Sequence, residues 1–131
     1  MEFSTSQYDL ISGDQGVRKL VDRFYDLMDE REDVKVLRDL HAKSLRISRD
    51  KLYMFLSGWL GGPQLYVEKY GHPRLRARHL PFKITNEERD QWMSCMNQAL
   101  EEQIEDQLLL STLKQSLFKV ADFMRNAEDA S

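Results

Sequence analysis

Residues 71–82 read Gly71-His72-Pro73-Arg74-Leu75-Arg76-Ala77-Arg78-His79-Leu80-Pro81-Phe82. Proline cannot sit in a helix interior, and it disfavours helix in the residue before it. Only a short ordered piece can therefore form between Pro73 and Pro81. His79 closes that piece, with Leu75, Leu80 and Phe82 around it, so its imidazole is held between two breaks against an apolar slot. His72, between Gly71 and Pro73, reads as a turn residue. A lone histidine is more often structural than a ligand, so the rest of the chain must decide the role of His79.

On both sides of this stretch the apolar residues recur at helical spacing. Thr5 to Ile11 predicts a short helix ending near Gly13. From Asp14 to Glu30, Val17, Leu20, Val21, Phe24, Leu27 and Met28 form one apolar stripe. Asp33 to Leu40 suits a brief helical turn. Ser48 reads as an N-cap, because a hydroxyl there accepts from free first-turn amides. Behind it come Leu52, Phe55, Leu56 and Trp59, and Gly61-Gly62-Pro63 stops that helix. Gln64 to Ile84 is irregular. Thr85-Asn86-Glu87-Glu88 is a capping box, opening a helix that carries Trp92, Cys95, Met96, Ala99, Leu100 and Ile104. A last helix is expected from Gln107 to Arg125, with Leu109, Leu113, Leu117, Val120 and Met124 on one face. No run alternates as a strand would, so the fold class is all-α.

Composition narrows the function. At 131 residues, 41% hydrophobic and 31% charged, the chain suits one globular domain spanning 1–131, large enough to enclose a cofactor. A net charge of −3 argues against nucleic acid or an anionic membrane as the main partner. No stretch approaches the ~20 apolar residues of a membrane span, and the first ten residues lack a secretory pattern. Cys95 is the only cysteine, which excludes an intrachain disulfide and points to a reducing, cytoplasmic setting. It reads as a core residue. Arg74, Arg76 and Arg78 lack the aromatic platform and basic background of a nucleic-acid patch. Gly61-Gly62-Pro63 lacks the lysine and hydroxyl of a phosphate loop.

A neutral imidazole in an apolar slot is a common axial ligand of haem iron, and nearby arginines suit haem propionates. Here the sequence resembles the group II truncated haemoglobins. The resemblance is carried by Phe24-Tyr25, by Gly61-Gly62-Pro63, and by the run from Gly71 to His79 with Pro81-Phe82. Glu88-Arg89-Asp90, with Trp92 after one residue, completes it. It extends over roughly Gly13 to Leu100 and implies a two-over-two helical globin around haem b, iron protoporphyrin IX.

The resemblance further implies that His79 is the proximal iron ligand and that Tyr25 and Trp92 are distal hydrogen-bond donors. His41 falls at the family's variable distal position. Ser48 and Leu52 face the iron from the distal helix, while Phe55, Leu56, Leu75 and Phe82 wall the porphyrin and Arg78 meets a propionate. The chain departs from the family in having Ser12-Gly13 where two glycines are common. It also carries extra residues at Asp29 to Lys35, where a longer loop is expected.

Taken singly, Tyr25 and Trp92 would read as core residues; their occurrence beside the His79 motif favours the distal role. His41 has two open roles, donating to a bound gas or swinging in on a flexible Asp29 to Lys35 loop to ligate the iron, as an ionised Tyr25 could also do beside ferric iron. Crowding by Tyr25 and Trp92 favours donation. The implied ligands are dioxygen, nitric oxide, carbon monoxide or peroxide. Several donors in a dry pocket slow gas release, which suits redox detoxification of nitric oxide or peroxide better than transport. The alternative is a non-catalytic gas sensor or store. A chain of this length has no room for a flavin domain, so turnover calls on an external reductase.

Overall fold

The computed structural model describes residues 6–127. Its helices are α1 Gln7–Leu10, α2 Gly13–Glu30, α3 Lys35–Asp39, α4 Arg46–Trp59, α5 Leu65–Tyr70, α6 Leu75–His79, α7 Asn86–Gln103 and α8 Gln107–Phe123. A 3₁₀ turn, Glu32–Val34, precedes α3, and no strand occurs among the described residues. The helices pack as two pairs, α2 with α4 and α7 with α8, joined by contact between α2 and α7. This is the two-over-two arrangement. No helix among the described residues is long and apolar enough to cross a membrane.

The α2 stripe explains the core. Val17, Val21 and Phe24 are fully enclosed, with Leu20, Leu27 and Met28 nearly so, and they meet Cys95, Met96 and Leu100 of α7 in one cluster. Cys95 is buried and its thiol is pushed up in pKa by that burial, as a core cysteine should be. The α1–α2 junction is tight. A Cβ on Gly16 would lie 1.5 Å from the Ile11 carbonyl oxygen, so only glycine fits. Ser12, by contrast, occupies the left-handed region at φ 78°, where a side chain costs energy that glycine avoids.

Three local expectations are revised. The helix expected from Thr5 is α1, capped by Ser6, whose hydroxyl accepts from the Asp9 N–H at 3.1 Å; Thr5 itself lies outside the described residues. Ser48 is not an N-cap. α4 begins two residues earlier, at Arg46, after Leu45, which has no capping side chain, so the Ser48 hydroxyl is free to turn inward. The buried line of α8 is Leu110, Leu113, Leu117 and Ala121, continued by Met124, and Leu109 sits beside it. The cap expected at Thr85 forms, with Glu88 on the hydroxyl instead of a backbone amide: the Thr85 hydroxyl accepts from the Glu87 N–H at 3.2 Å and donates to the Glu88 carboxylate at 2.5 Å.

The extra residues between Tyr25 and His41 do not form a loose loop. They complete α2, then turn through the 3₁₀ segment, where Val34 is buried. Arg31 pins the turn by bonding Asp33 at 2.7 Å and reaching across to Ser94 on α7 at 2.8 Å.

Candidate functional site

The α4 stripe is only half used by the core. Leu56 is buried, whereas Leu52 and Phe55 are only partly covered, because they face a cavity of about 420 Å³. That volume lies within the roughly 300–1,000 Å³ typical of cofactor sites. The cavity is walled by α2, α4, α7 and α8, by α3 and its connection to α4, and by the segment from α5 to Ile84. The structure brings together in it all the residues singled out above: Tyr25, His41, Ser48, Leu52, Phe55, Leu56, Leu75, Arg78, His79, Phe82 and Trp92.

His79 reaches the cavity from the end of α6. Its Nδ1 lies 2.6 Å from the Leu75 carbonyl oxygen. A carbonyl only accepts, so Nδ1 carries the proton and Nε2 keeps its lone pair. A carbonyl on the other ring nitrogen is the usual companion of a metal-ligating histidine. The start of α6 is set by Arg74 in the left-handed region, φ 45°, with its N–H donating to His72 Nδ1 at 3.1 Å. His72 is thus the turn residue its neighbours suggested.

Two aromatic rings of the lining, Tyr25 and Trp92, share one support. Phe24, fully buried, braces both Tyr25, edge-on at 4.8 Å between centroids, and Trp92 at 5.0 Å. The Tyr25 hydroxyl stays protonated. Burial pushes its pKa far above the ordinary tyrosine range, and the Arg49 guanidinium and a hydrogen bond with Ser48 only partly oppose this. In the metal-free protein Tyr25 is therefore a neutral phenol, able to donate.

His41 sits 6.0 Å from Tyr25 between ring centroids, and its Nδ1 is 2.9 Å from the Leu37 carbonyl oxygen. Burial lowers its pKa, and the nearby charge of Arg38 adds to this, against the bond to Leu37. At neutral pH the ring is therefore uncharged, with its one N–H given to Leu37 and Nε2 left as an acceptor. The donor role expected for His41 requires the imidazolium. As a neutral ring it accepts protons or ligates.

The residues fit a haem. They supply an imidazole with a free lone pair, apolar walls, and cations at the rim. Arg78 is exposed and has no carboxylate partner among the described residues, its guanidinium lying 5.7 Å from the Tyr66 ring. The carboxylate on the lining, Glu88, is buried and bonded to Thr85. A flat, apolar dianion matches such a slot.

Sequence reasoning missed Tyr66, which stacks edge-on against Phe55 at 6.5 Å, and Lys51, a second rim cation. It also missed Ile84, Val120 and Met124 on the lining. Tyr66 had a local signal, an aromatic residue between Leu65 and Val67 in the short piece before Gly71. Lys51 had none.

The profile of the family described as bacterial-like globin matches residues 6–126. A group 2 truncated haemoglobin of Bacillus subtilis strain 168 is 44% identical over 89 residues, which is 68% of this chain. The match spans 65% of the length of that relative. A cold-adapted truncated haemoglobin of the Antarctic marine bacterium Pseudoalteromonas haloplanktis TAC125 superposes with a TM-score of 0.92 at 45% identity, covering 94% of this chain and 99% of that one. A group II 2-on-2 haemoglobin of Agrobacterium tumefaciens gives 0.93 at 39% identity, over 98% of both chains.

Proposed function

Because this chain belongs to the bacterial-like globin family, among its group II truncated haemoglobins, we propose that it holds haem b through His79 and uses bound diatomic gas in redox detoxification. Family membership implies haem-based gas binding. The finer reading rests on one observation: one cavity is lined by His79, whose Nδ1 is engaged by Leu75, and by Tyr25, Trp92 and a neutral His41.

Haem, when bound, supplies the iron that takes dioxygen, nitric oxide, carbon monoxide or peroxide and exchanges electrons with them. The protein residues do the rest. His79 would offer Nε2 to the iron, its tautomer set by Leu75. Leu52, Phe55, Leu56, Leu75 and Phe82 exclude water, and Arg78, with Lys51, meets the propionates. In the dry pocket the Tyr25 O–H and Trp92 N–H would be weakly screened donors to a ligand carrying negative charge. Tight holding opposes unloading and favours reaction in place. His41 can take a proton at Nε2, as the cleavage of a peroxide requires of a general base. Electrons come from an external reductase. The buried thiol of Cys95 suits a cytoplasmic setting.

The test is stopped-flow mixing of the oxygenated ferrous protein with nitric oxide. The expected result is rapid, stoichiometric conversion to the ferric form with release of nitrate. Simple replacement of one gas by the other, without oxidation, would assign the protein to gas sensing or storage. An absorption spectrum lacking a Soret band after reconstitution would refute the haem reading itself.

A further inference from the structure

α6 is a weak platform for a metal ligand. It has five residues, none of them buried, far below the roughly 12–15 at which a helix is stable alone. It is also not among the helices that pack extensively on another. Something else must hold His79 in place, and the structure shows what. Asn126, beyond the end of α8, folds back over the segment that follows His79. Its Nδ2 lies 3.1 Å from the His79 carbonyl oxygen and 2.8 Å from that of Phe82, while its Oδ1 accepts from the Ile84 N–H at 3.0 Å. Its own backbone N–H donates to the Ile84 carbonyl at 3.0 Å. Both carbonyls facing Nδ2 can only accept, so the orientation of the amide is fixed and all its hydrogen-bonding directions along this segment are used.

The clamp is itself anchored. Asp122 in the last turn of α8 accepts from Arg125 at 2.7 Å and from Arg89 of α7 at 2.8 Å, and Met124 is buried. The tail therefore ties α6 to the α7–α8 pair.

We propose that Asn126 is a positioning residue for His79: by holding the His79 and Phe82 carbonyls it fixes the end of α6, keeps the short Nδ1–H bond to Leu75, and thereby sets the strength of the iron–histidine bond. Donation from Nδ1 raises the basicity of the ligating nitrogen. Slackening the clamp lengthens that bond and weakens the ligand. The proposal rests on His79 as the axial ligand.

The test compares the holoprotein with Asn126→Ala and Asn126→Asp. Aspartate keeps an acceptor for Ile84 but turns a carboxylate toward the two carbonyls, so it should act at least as strongly as alanine. Resonance Raman spectra of the ferrous, gas-free proteins report the iron–histidine stretch, and amide exchange at Ile84 reports the clamp. Expected are a downshifted band in both variants and, in Asn126→Ala, where the Ile84 N–H loses its acceptor, Ile84 exchange faster by roughly tenfold, the size of one lost hydrogen bond. Asn126→Ser, which keeps one short polar group, serves if the larger changes prevent haem uptake, and it should shift the band less. Faster Ile84 exchange with an unmoved band would reduce Asn126 to a structural tie and overturn the proposal, as would no change in either. A wild-type spectrum without an iron–histidine band would instead refute His79 as ligand, and the proposal with it.

Discussion

Replacing Tyr25 by phenylalanine removes one hydroxyl and leaves the ring. The ring packs edge-on against Phe24 at 4.8 Å, and nothing in that contact involves the hydroxyl. The fold should therefore tolerate the change. The hydroxyl sits where water does not compete: Tyr25 is 6% exposed, and its raised pKa keeps the proton on oxygen across physiological pH. A hydrogen bond to a charged acceptor is worth about 1.5–3 kcal/mol, and in the proposed function that acceptor is bound dioxygen, with negative charge on its oxygens. Loss of the bond should speed dioxygen release by about ten- to a hundredfold, using a factor of ten per 1.4 kcal/mol. Ser48 decides where in that range the result falls. Its hydroxyl shares the cavity lining with Tyr25 and lowers the tyrosine's pKa, so it can turn toward the gas once the Tyr25 oxygen is gone. Tyr25→Phe alone should lie in the lower part of the range, and Tyr25→Phe with Ser48→Ala in the upper. Trp92→Phe should give a similar effect, and the two losses should not add, since both donors meet one ligand. The assay is displacement of dioxygen by excess carbon monoxide, followed at the Soret band. Release from the Tyr25→Phe, Trp92→Phe double variant within about twofold of wild type, well short of the coupling expected for groups sharing a ligand, would refute the reasoning.

Four further outcomes follow. His79→Ala should lose haem unless imidazole is added, and an unchanged Soret spectrum would exclude His79 as ligand. Arg78→Leu should speed haem transfer to an acceptor apoprotein by about two- to fivefold, the worth of an exposed ion pair, with no change of spin state. Ser12→Gly removes a left-handed strain of about 1–2 kcal/mol against the extra chain entropy of glycine, about 0.5–1 kcal/mol. The net is a more stable protein, seen as a melting temperature higher by roughly 2–5 °C. In the apoprotein, His41 has a folded pKa below the ordinary 6.5, so between those values the unfolded chain binds a proton that the folded chain refuses. Stability should fall as pH drops below 6.5, and His41→Phe should flatten that slope in urea midpoints; equal slopes would show that the ring titrates normally.

The sequence by itself determined what depends on near neighbours. Helical spacing placed α2, α4, α7 and α8 to within a few residues, because the stripe of each repeats every three or four positions. The Thr85 cap was legible because its partners lie within one turn. Pro73, Pro81 and the arginines between them marked His79, and the order of motifs assigned the family. Ser48 and Leu109 show the limit of the same local code. A hydroxyl near a helix start can cap it or turn inward, and an apolar residue beside a stripe can fall on either side of the buried line.

Only the tertiary structure decided which of those alternatives occurs, since the choice is made by partners far along the chain. Ser48 turns inward because Tyr25, from α2, waits there. Leu52 and Phe55 are half-buried because α4 faces a cavity where a neighbouring helix might have been. His41 loses its donor role to a carbonyl one turn away and its charge to burial, and the turn pinned by Arg31 on Ser94 holds the loop that a swinging ligand would need. Asn126 carried no signal at all. A polar residue near the end of the last helix reads as surface until folding carries it 47 positions back to the carbonyl of His79. Hydrogen bonds of that span are specified by the packing of α7 against α8, and no pattern within a few residues encodes them.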